Sequence, residues 1–106
     1  MIEIKKEQPD SYYFYLKTED GNTLLKSIGF PSRKEAEAVV QQLPSLMQNQ
    51  IAFERQTSHQ GQFLFRLNDF SGKILGSSQL YNSEAGMENG IKNLRNSIVS
   101  YRGNNL

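Results

Sequence analysis

Apolar and polar positions alternate strictly over two segments, one in each half of the chain. The segments cover residues 12–18 and 62–69, and each has an aromatic–aromatic–leucine series on one side. A period of two is typical of a β-strand with one buried face. Shorter β-like runs flank both segments, at residues 2–7, 22–28, 51–57 and 73–79, and turn-forming residues separate them. Each half therefore predicts a three-stranded meander.

A helical period follows each meander. In the first half Ser32 and Glu35 have the spacing of a capping box, and the residues at i, i+3, i+4 and i+7 after it are apolar: Ala36, Val39, Val40 and Leu43. Pro44 disfavours helical backbone at the residue before it, so this helix is predicted to end near Leu43. In the second half Ser83 precedes a stripe of Met87, Ile91 and Leu94, and the helix is predicted to run to about Ser97.

The two halves are related by an internal repeat. An offset of 51 aligns residues 2–43 with 53–94 without a gap, and nine aligned pairs are identical. The identities fall at strand, turn and cap positions, among them Phe14/Phe65, Leu16/Leu67, Gly21/Gly72, Ser27/Ser78 and Ser32/Ser83. We therefore expect one domain, residues 1–106, made of repeat one (about 1–50) and repeat two (about 51–106).

The order of elements predicts an α+β fold. Each helix has one apolar stripe, which must be buried against the apolar face of the strands. We expect one continuous antiparallel sheet with both helices on one face, which leaves the opposite face open to water. Alternation along the two central strands assigns six residues to this open face: Tyr13, Tyr15, Lys17, Leu64, Arg66 and Asn68.

The second repeat resembles a known family. The series from Phe63 to Leu67, the series from Gly72 to Tyr81, and a helix that begins after Ser83 and contains Gly90-Ile91 are similar to the YegP-like family, small and mostly bacterial proteins of unknown function. The resemblance implies tandem βββαβ-type units in one sheet, with the C-terminal strand of each unit exchanged into the other. The exchanged strands would be residues 50–56 and 98–102. It also implies a monomer, because single-unit relatives form the same sheet by dimerising, and it brings no catalytic or binding residues.

Composition and charge exclude several classes of function. The chain has 106 residues, a formal net charge of +1, one His and no Cys. The absence of Cys excludes disulfides and thiolate metal sites, and the balanced charge does not favour nucleic acid or an anionic membrane. The first residues lack a signal-peptide pattern and no apolar run approaches a membrane span, which favours the cytoplasm and no membrane partner. We expect no cofactor and no metal site.

Catalytic chemistry has little support in the sequence. The single histidine, His59, lies in a predicted turn with nothing to orient it, so a hydrolytic triad is not expected. One enzymatic alternative remains open. Glu3 and Glu54 occupy equivalent repeat positions, and a pseudo-twofold axis could bring them together as an acid/base pair.

The open face favours a non-catalytic binding module. Tyr and Arg are frequent anchors at protein interfaces, which indicates a protein or peptide partner. A sheet with exposed aromatic residues can also stack the bases of single-stranded nucleic acid, which is a second alternative. Cross-strand pairing of aromatic residues explains the same pattern with no partner at all.

Overall fold

The structure is a computed structural model that describes residues 2–18, 20–49 and 52–104. Its elements, in chain order, are β1 (Ile2–Gln8), β2 (Ser11–Lys17), β3 (Thr23–Ser27), α1 (Arg33–Leu46), β4 (Phe53–Thr57), β5 (Phe63–Asn68), β6 (Ile74–Ser78) and α2 (Glu84–Asn104). All six strands form one antiparallel sheet in the order β1-β2-β3-β6-β5-β4. The predicted α+β class with one continuous antiparallel sheet is confirmed.

Both helices cover the same face of the sheet. Alternate residues of the central strands, Phe14 and Leu16 in β2 and Phe65 and Leu67 in β5, are at most 2% exposed. They share one cluster with the apolar stripes of the helices, which include Val40, Leu43, Met87, Ile91, Leu94 and Ile98. The two helices also contact each other. The hydrophobic effect of this shared core therefore holds both layers together.

The same local hydrogen bonds occur in both halves at the offset of 51. The Phe14 N–H donates to Ser27 Oγ and the Phe65 N–H donates to Ser78 Oγ, each over 2.9 Å. Isolated bridges recur in the same way (Tyr12 with Phe30, Phe63 with Tyr81), as do hairpin glycines with positive φ (Gly21 and Gly72). The identical serines and glycines thus serve backbone geometry, since a hydroxyl supplies an acceptor and glycine tolerates positive φ.

The two halves join along a seam between β3 and β6, where Lys26 lies opposite Ser77. One position in this seam accepts only glycine. A Cβ on Gly76 would lie 2.7 Å from Leu25 Cδ2 and 2.7 Å from the Lys26 carbonyl oxygen. At the offset of 51, Gly76 is the equivalent of Leu25. The Leu25 side chain of the first half therefore occupies the space that the missing side chain of Gly76 leaves in the second half.

The strand-exchange prediction needs correction. Of the strand predicted for residues 50–56, residues 50 and 51 lie outside the described residues and 53–56 belong to β4. β4 pairs with β5 just as β1 pairs with β2, so each βββα unit is complete without exchange. The strand predicted at residues 98–102 is wrong, because these residues belong to α2. Ile98, 1% exposed, continues the buried stripe at helical spacing, and burial of this side chain favours the helix over a strand.

The end of α1 also differs from the prediction. The helix continues through Pro44 to Leu46, and the Met47 N–H still donates to the Leu43 carbonyl. Leu46 and Met47 are 0% and 3% exposed, so burial of the last turn outweighs the preference of the residue before proline for extended backbone. Both predicted cap serines are confirmed: Ser32 Oγ accepts from the Glu35 N–H, and Ser83 Oγ accepts from the Gly86 N–H.

We predict that Gly76→Ala lowers the free energy of unfolding by about 2 kcal/mol, a usual cost of overpacking. The added methyl group meets the Lys26 backbone carbonyl, which cannot move without breaking the seam. Urea unfolding followed by circular dichroism measures the change. Ser77→Ala, at the next position of β6 but on the other sheet face, is the control and is expected to cost no more than about 0.5 kcal/mol. Equal stability of Gly76→Ala and the parent protein would contradict the account of the seam.

Candidate functional site: the open sheet face

The sheet face opposite the helices is called the open face here, and all six residues selected from the sequence lie on it. Each alternates along its strand with buried core residues. Strand pairing adds further members, because residues directly opposite one another project to the same side: Glu3, Lys5, Lys26, Glu54, Gln56, Ile74 and Ser77. None of the described helices covers this face.

One row of residues crosses the open face through all six strands. The pairing registers place its members in the order Glu3, Tyr15, Lys26, Ser77, Arg66, Glu54. The carboxylates occupy the two edge strands, and the cations Lys26 and Arg66 lie on either side of Ser77 near the centre. The middle of the open face is therefore more positive than its edges.

In the first half, the tyrosines are held within a dense charged network. Lys26 Nζ lies 4.7 Å from the ring centre of Tyr13 and 5.6 Å from that of Tyr15. The Tyr15 hydroxyl donates to Glu7, which also accepts from Lys26 Nζ over 3.1 Å. Both rings are half-buried, and lysine and glutamate side chains of the same chain already contact them.

Lys17 and Glu3 complete this network at the edge of the sheet. Lys17 Nζ lies 2.5 Å from Glu3 Oε2 and 5.8 Å from the ring centre of Tyr15. The hydrogen bond from Lys17 holds the pKa of Glu3 below its ordinary value. Lys17 therefore has a structural partner on its own chain.

Arg66, in the second half, differs from the lysines. The residue directly opposite it, Glu54, is the expected ion-pair partner, but the Glu54 carboxylate accepts from Gln56 Nε2 (2.7 Å) and Asn68 Nδ2 (3.2 Å). The hydrogen bond from Asn68 is the main cause that lowers the pKa of Glu54, and the charge of Arg66 contributes least. Within the described residues, the Arg66 guanidinium forms no hydrogen bond and no ion pair.

Sequence analysis missed two exposed apolar residues of the second half. Ile74 lies opposite Asn68 and is 37% exposed, and Leu80 is 51% exposed. Alternation alone would place Ile74 with Gly76 in the core. A register shift between Leu67 and Asn68 turns Leu75 into the core instead, which leaves Ile74 outside. One signal was available in the sequence: the aligned residues Leu24 and Leu75 are identical, although alternation from Gly76 would not place Leu75 in the core.

The carboxylate-pair alternative is wrong. Glu3 and Glu54 lie on opposite edge strands of the sheet, five strand spacings apart, which is roughly 24 Å between the strands. Acid/base pairs of this kind need about 5–9.5 Å. Hydrogen bonds also lower the pKa of both groups, so neither is suited to donate a proton near neutral pH.

Two shallow grooves flank the helices at the sheet edges. One of about 280 Å³ lies between β1 and α1, and one of about 190 Å³ lies between β4 and α2. Arg33 and Glu37, which form an ion pair, line the first groove, and Arg55, which pairs with Glu88, lines the second. Among the described residues no group of three or more His, Cys, Asp and Glu side chains could hold a metal ion. The arginines at the two grooves thus already have partners on the same chain, which makes the open face the better candidate site.

The geometry defines a small two-layer α+β protein whose candidate site is an uncovered sheet face rather than a cleft. Residues 58–98 match the family model "Domain of unknown function (DUF1508)". The UPF0339 protein YegP of Escherichia coli (strain K12) is 30% identical over 94 residues, which cover 89% of this chain and 86% of that protein. A UPF0339 protein of Pseudomonas aeruginosa is 28% identical over 92 residues, 87% of this chain and 84% of that protein. The chain belongs to the YegP-like UPF0339 family.

Solved structures agree with this assignment. The solution NMR structure of YegP from Escherichia coli, described as a protein of unknown function, superposes with a TM-score of 0.84 at 29% identity and covers 92% of this chain and 84% of that one. A UPF0339 protein from Shewanella oneidensis has the same TM-score at 24% identity, over 90% and 80% of the two chains, which shows the shared fold. In the part of the chain that the structure describes, no helix is long and apolar enough to span a bilayer.

We predict that Glu3 and Glu54 titrate independently. Lys17→Met removes the hydrogen bond that lowers the pKa of Glu3, so this pKa rises towards 4.5, whereas that of Glu54 does not change. Carboxyl-carbon NMR titration measures both values. A depressed pKa stabilises the folded state above the unfolded value, and this stability is lost as the pH falls through the folded pKa. Lys17→Met should therefore reduce the loss of stability on acidification.

Lys5→Met is the matched control for this titration. Lys5 Nζ lies 3.9 Å from Glu3, and its charge is the smallest of the causes that lower the pKa of Glu3. Its removal should therefore raise that pKa less than Lys17→Met does. A change in the pKa of Glu54 in either variant would show that the two carboxylates interact, in conflict with their placement at opposite edges.

Proposed function

We propose that this protein is a small non-catalytic binding module and that its partner surface is the open face. The observation that carries the proposal is Arg66, a half-buried cation near the centre of the uncovered face with no hydrogen-bond acceptor among the described residues. A guanidinium has five N–H donors, and none of those of Arg66 is already bound by an acceptor among the described residues. A partner that supplies acceptors gains charge-assisted hydrogen bonds.

A protein or peptide fits the open face better than nucleic acid. Cations and carboxylates are mixed on the face and its rim, with Lys5, Lys17, Lys26 and Arg66 against Glu3, Glu7 and Glu54. Nucleic-acid surfaces depend on several uncompensated cations that contact phosphates. The lysines here are engaged with glutamates or tyrosine rings, which supports a partner held by a few anchors.

We also propose that the chain is a tandem repeat that acts as an internal pseudo-dimer, a single domain over residues 1–106 and a cytoplasmic monomer. The seam between β3 and β6 joins the two βββα units, and the core is continuous across it. These features support the proposal because the seam already supplies the pairing that a single unit would take from a second copy.

We predict that Tyr13→Ser, Tyr15→Ser and Arg66→Ser together abolish partner capture. Anchors of these types can contribute 2 kcal/mol or more each to an interface. The immobilised protein and the triple variant are incubated with lysate, and both captured protein and captured nucleic acid are measured. The matched control, Arg33→Ser with Gln41→Ser and Lys92→Ser, changes three exposed positions of the helix layer and should leave capture intact.

Folding and salt dependence make this experiment decisive. Circular dichroism shows whether the triple variant remains folded; Arg66→Gln alone is the milder second variant. Capture of nucleic acid that weakens steeply with salt would favour the nucleic-acid alternative. Equal capture by the triple variant and the parent would reject the open face as the partner surface.

A separate prediction tests the pseudo-dimer. A fragment of residues 1–49 should be unfolded or dimeric, because β3 then lacks β6 and presents an unpaired edge. The full chain should be a monomer. Size-exclusion chromatography with light scattering and circular dichroism measure both properties. A folded, monomeric fragment would show that the halves do not depend on each other.

A further inference from the structure

We infer that the partner is an extended peptide segment with one carboxylate side chain between two large apolar side chains, bound along β5. Arg66 receives the carboxylate, and the exposed apolar residues on each side of it receive the apolar side chains. This inference rests on the proposed function and adds the chemistry of the partner and its position on the open face.

The charge of the site selects a carboxylate. Arg66 lies between the uncharged Ser77 and the anion Glu54, and the Glu54 carboxylate takes its hydrogen bonds from Gln56 and Asn68, so the guanidinium donors of Arg66 stay open to a partner. Lys26 lies one strand beyond Ser77 and adds positive potential. A planar guanidinium binds a carboxylate through two parallel hydrogen bonds, which is why a peptide with Asp or Glu complements this position.

Apolar surface lies on both sides of Arg66. On one side Ile74, 37% exposed, faces Asn68 across the strands. On the other side lie half-buried Leu64, two residues along β5, and Leu80, 51% exposed. Leu80 is the repeat equivalent of Gly29, and a Cβ on Gly29 would lie 3.1 Å from the Tyr13 hydroxyl oxygen. Because Tyr13 is the equivalent of Leu64, the repeat assigns Leu80 to the Leu64 side of Arg66. The apolar groups thus border the cation at both ends.

The spacing of these groups matches an extended chain. Alternate residues of a strand are roughly 6.6–6.8 Å apart, so positions 64, 66 and 68 of β5 form a row with this spacing. A peptide in extended conformation projects residues i, i+2 and i+4 to one side with the same spacing. An apolar–x–acidic–x–apolar segment along β5 therefore places one apolar side chain at Leu64, the carboxylate at Arg66 and the other apolar side chain at Asn68, next to Ile74 on β6.

The first half offers no equivalent site. At the positions that correspond to Arg66, Ile74 and Leu80 it has Tyr15, Thr23 and Gly29. The tyrosine is occupied by Lys5, Lys26 and Glu7, and the other two positions provide no large apolar side chain. The proposed segment is thus expected to bind once per chain, on the second half.

The test is a titration of the ¹⁵N-labelled full chain with a capped peptide of sequence Gly-Leu-Ser-Glu-Ser-Leu-Gly. Amide shifts should change along β5 and β6, with the largest effects near Arg66 and Ser77. Two matched peptides, one with Gln for Glu and one with Ser for both Leu residues, should bind at least about tenfold more weakly. Equal binding of either control peptide, or shifts confined to another surface, would overturn the inference.

Protein variants provide the second arm of the test. Arg66→Gln should weaken binding of the acidic peptide about tenfold and make it indistinguishable from the Gln peptide. Leu80→Ser should weaken both peptides alike. Arg33→Gln, the same chemical change on the helix layer, should have no effect, and the spectrum of each variant reports whether it is folded.

The remaining outcomes separate this inference from the proposed function. If the peptide does not bind but the open-face triple variant still loses captured partner, the acidic-peptide assignment is rejected and the binding surface is retained. If the peptide does not bind and the triple variant still captures the partner, the acidic-peptide inference and the proposed binding surface are both rejected. An eight-nucleotide oligothymidine that shifts the same amides more strongly than the peptide would replace the peptide with nucleic acid.

Discussion

The fold depends on the pairing of β3 with β6. Each βββα unit forms its own meander and covers it with its own helix, yet the two meanders become one continuous sheet only when these two strands pair. The close approach at Gly76 makes this pairing possible, since Leu25 and the Lys26 carbonyl fill the space that any side chain would need. The open face is continuous for the same reason: its central row runs from one edge strand to the other through this seam.

The two halves share backbone geometry and differ in surface chemistry. Ser27 and Ser78 accept hydrogen bonds from the backbone N–H groups of Phe14 and Phe65, so the two halves correspond where these serines support the backbone. On the open face the equivalents diverge, with Tyr15 in a network of lysines and glutamates and Arg66 without an acceptor among the described residues. A symmetric scaffold thus presents an asymmetric surface.

Much of the architecture followed from local patterns. Alternation placed Phe14 and Phe65 in the core and Tyr13 and Arg66 on the open face, because a period of two leaves no other choice once one face is buried. The continuation of α1 past Pro44 and of α2 through residues 98–102 could not be found in this way. Both depend on burial of side chains, Leu46 and Ile98, against a core that forms only in the folded chain.

Part of the candidate site could also be predicted from local sequence patterns. The six open-face residues were found by alternation, but Ile74 was hidden by a register shift, and the isolation of Arg66 depends on which donors bind Glu54. The pairing of strands that are far apart in sequence decides which side chains meet on the open face. It also separated Glu3 from Glu54, whose equivalence in sequence says nothing about their distance in a mirrored strand order.

The mirrored order has a consequence for synthesis of the chain. Leu25 pairs with Ser78, so the ribosome must add more than half of the protein before β3 gains its second neighbour. Until then the nascent first unit presents a bare strand edge to every other nascent chain nearby. Lys26 lies in that strand, and lysine on an exposed edge discourages pairing with a second molecule. The cation near the centre of the finished surface is thus also a residue that disfavours aggregation of the unfinished one.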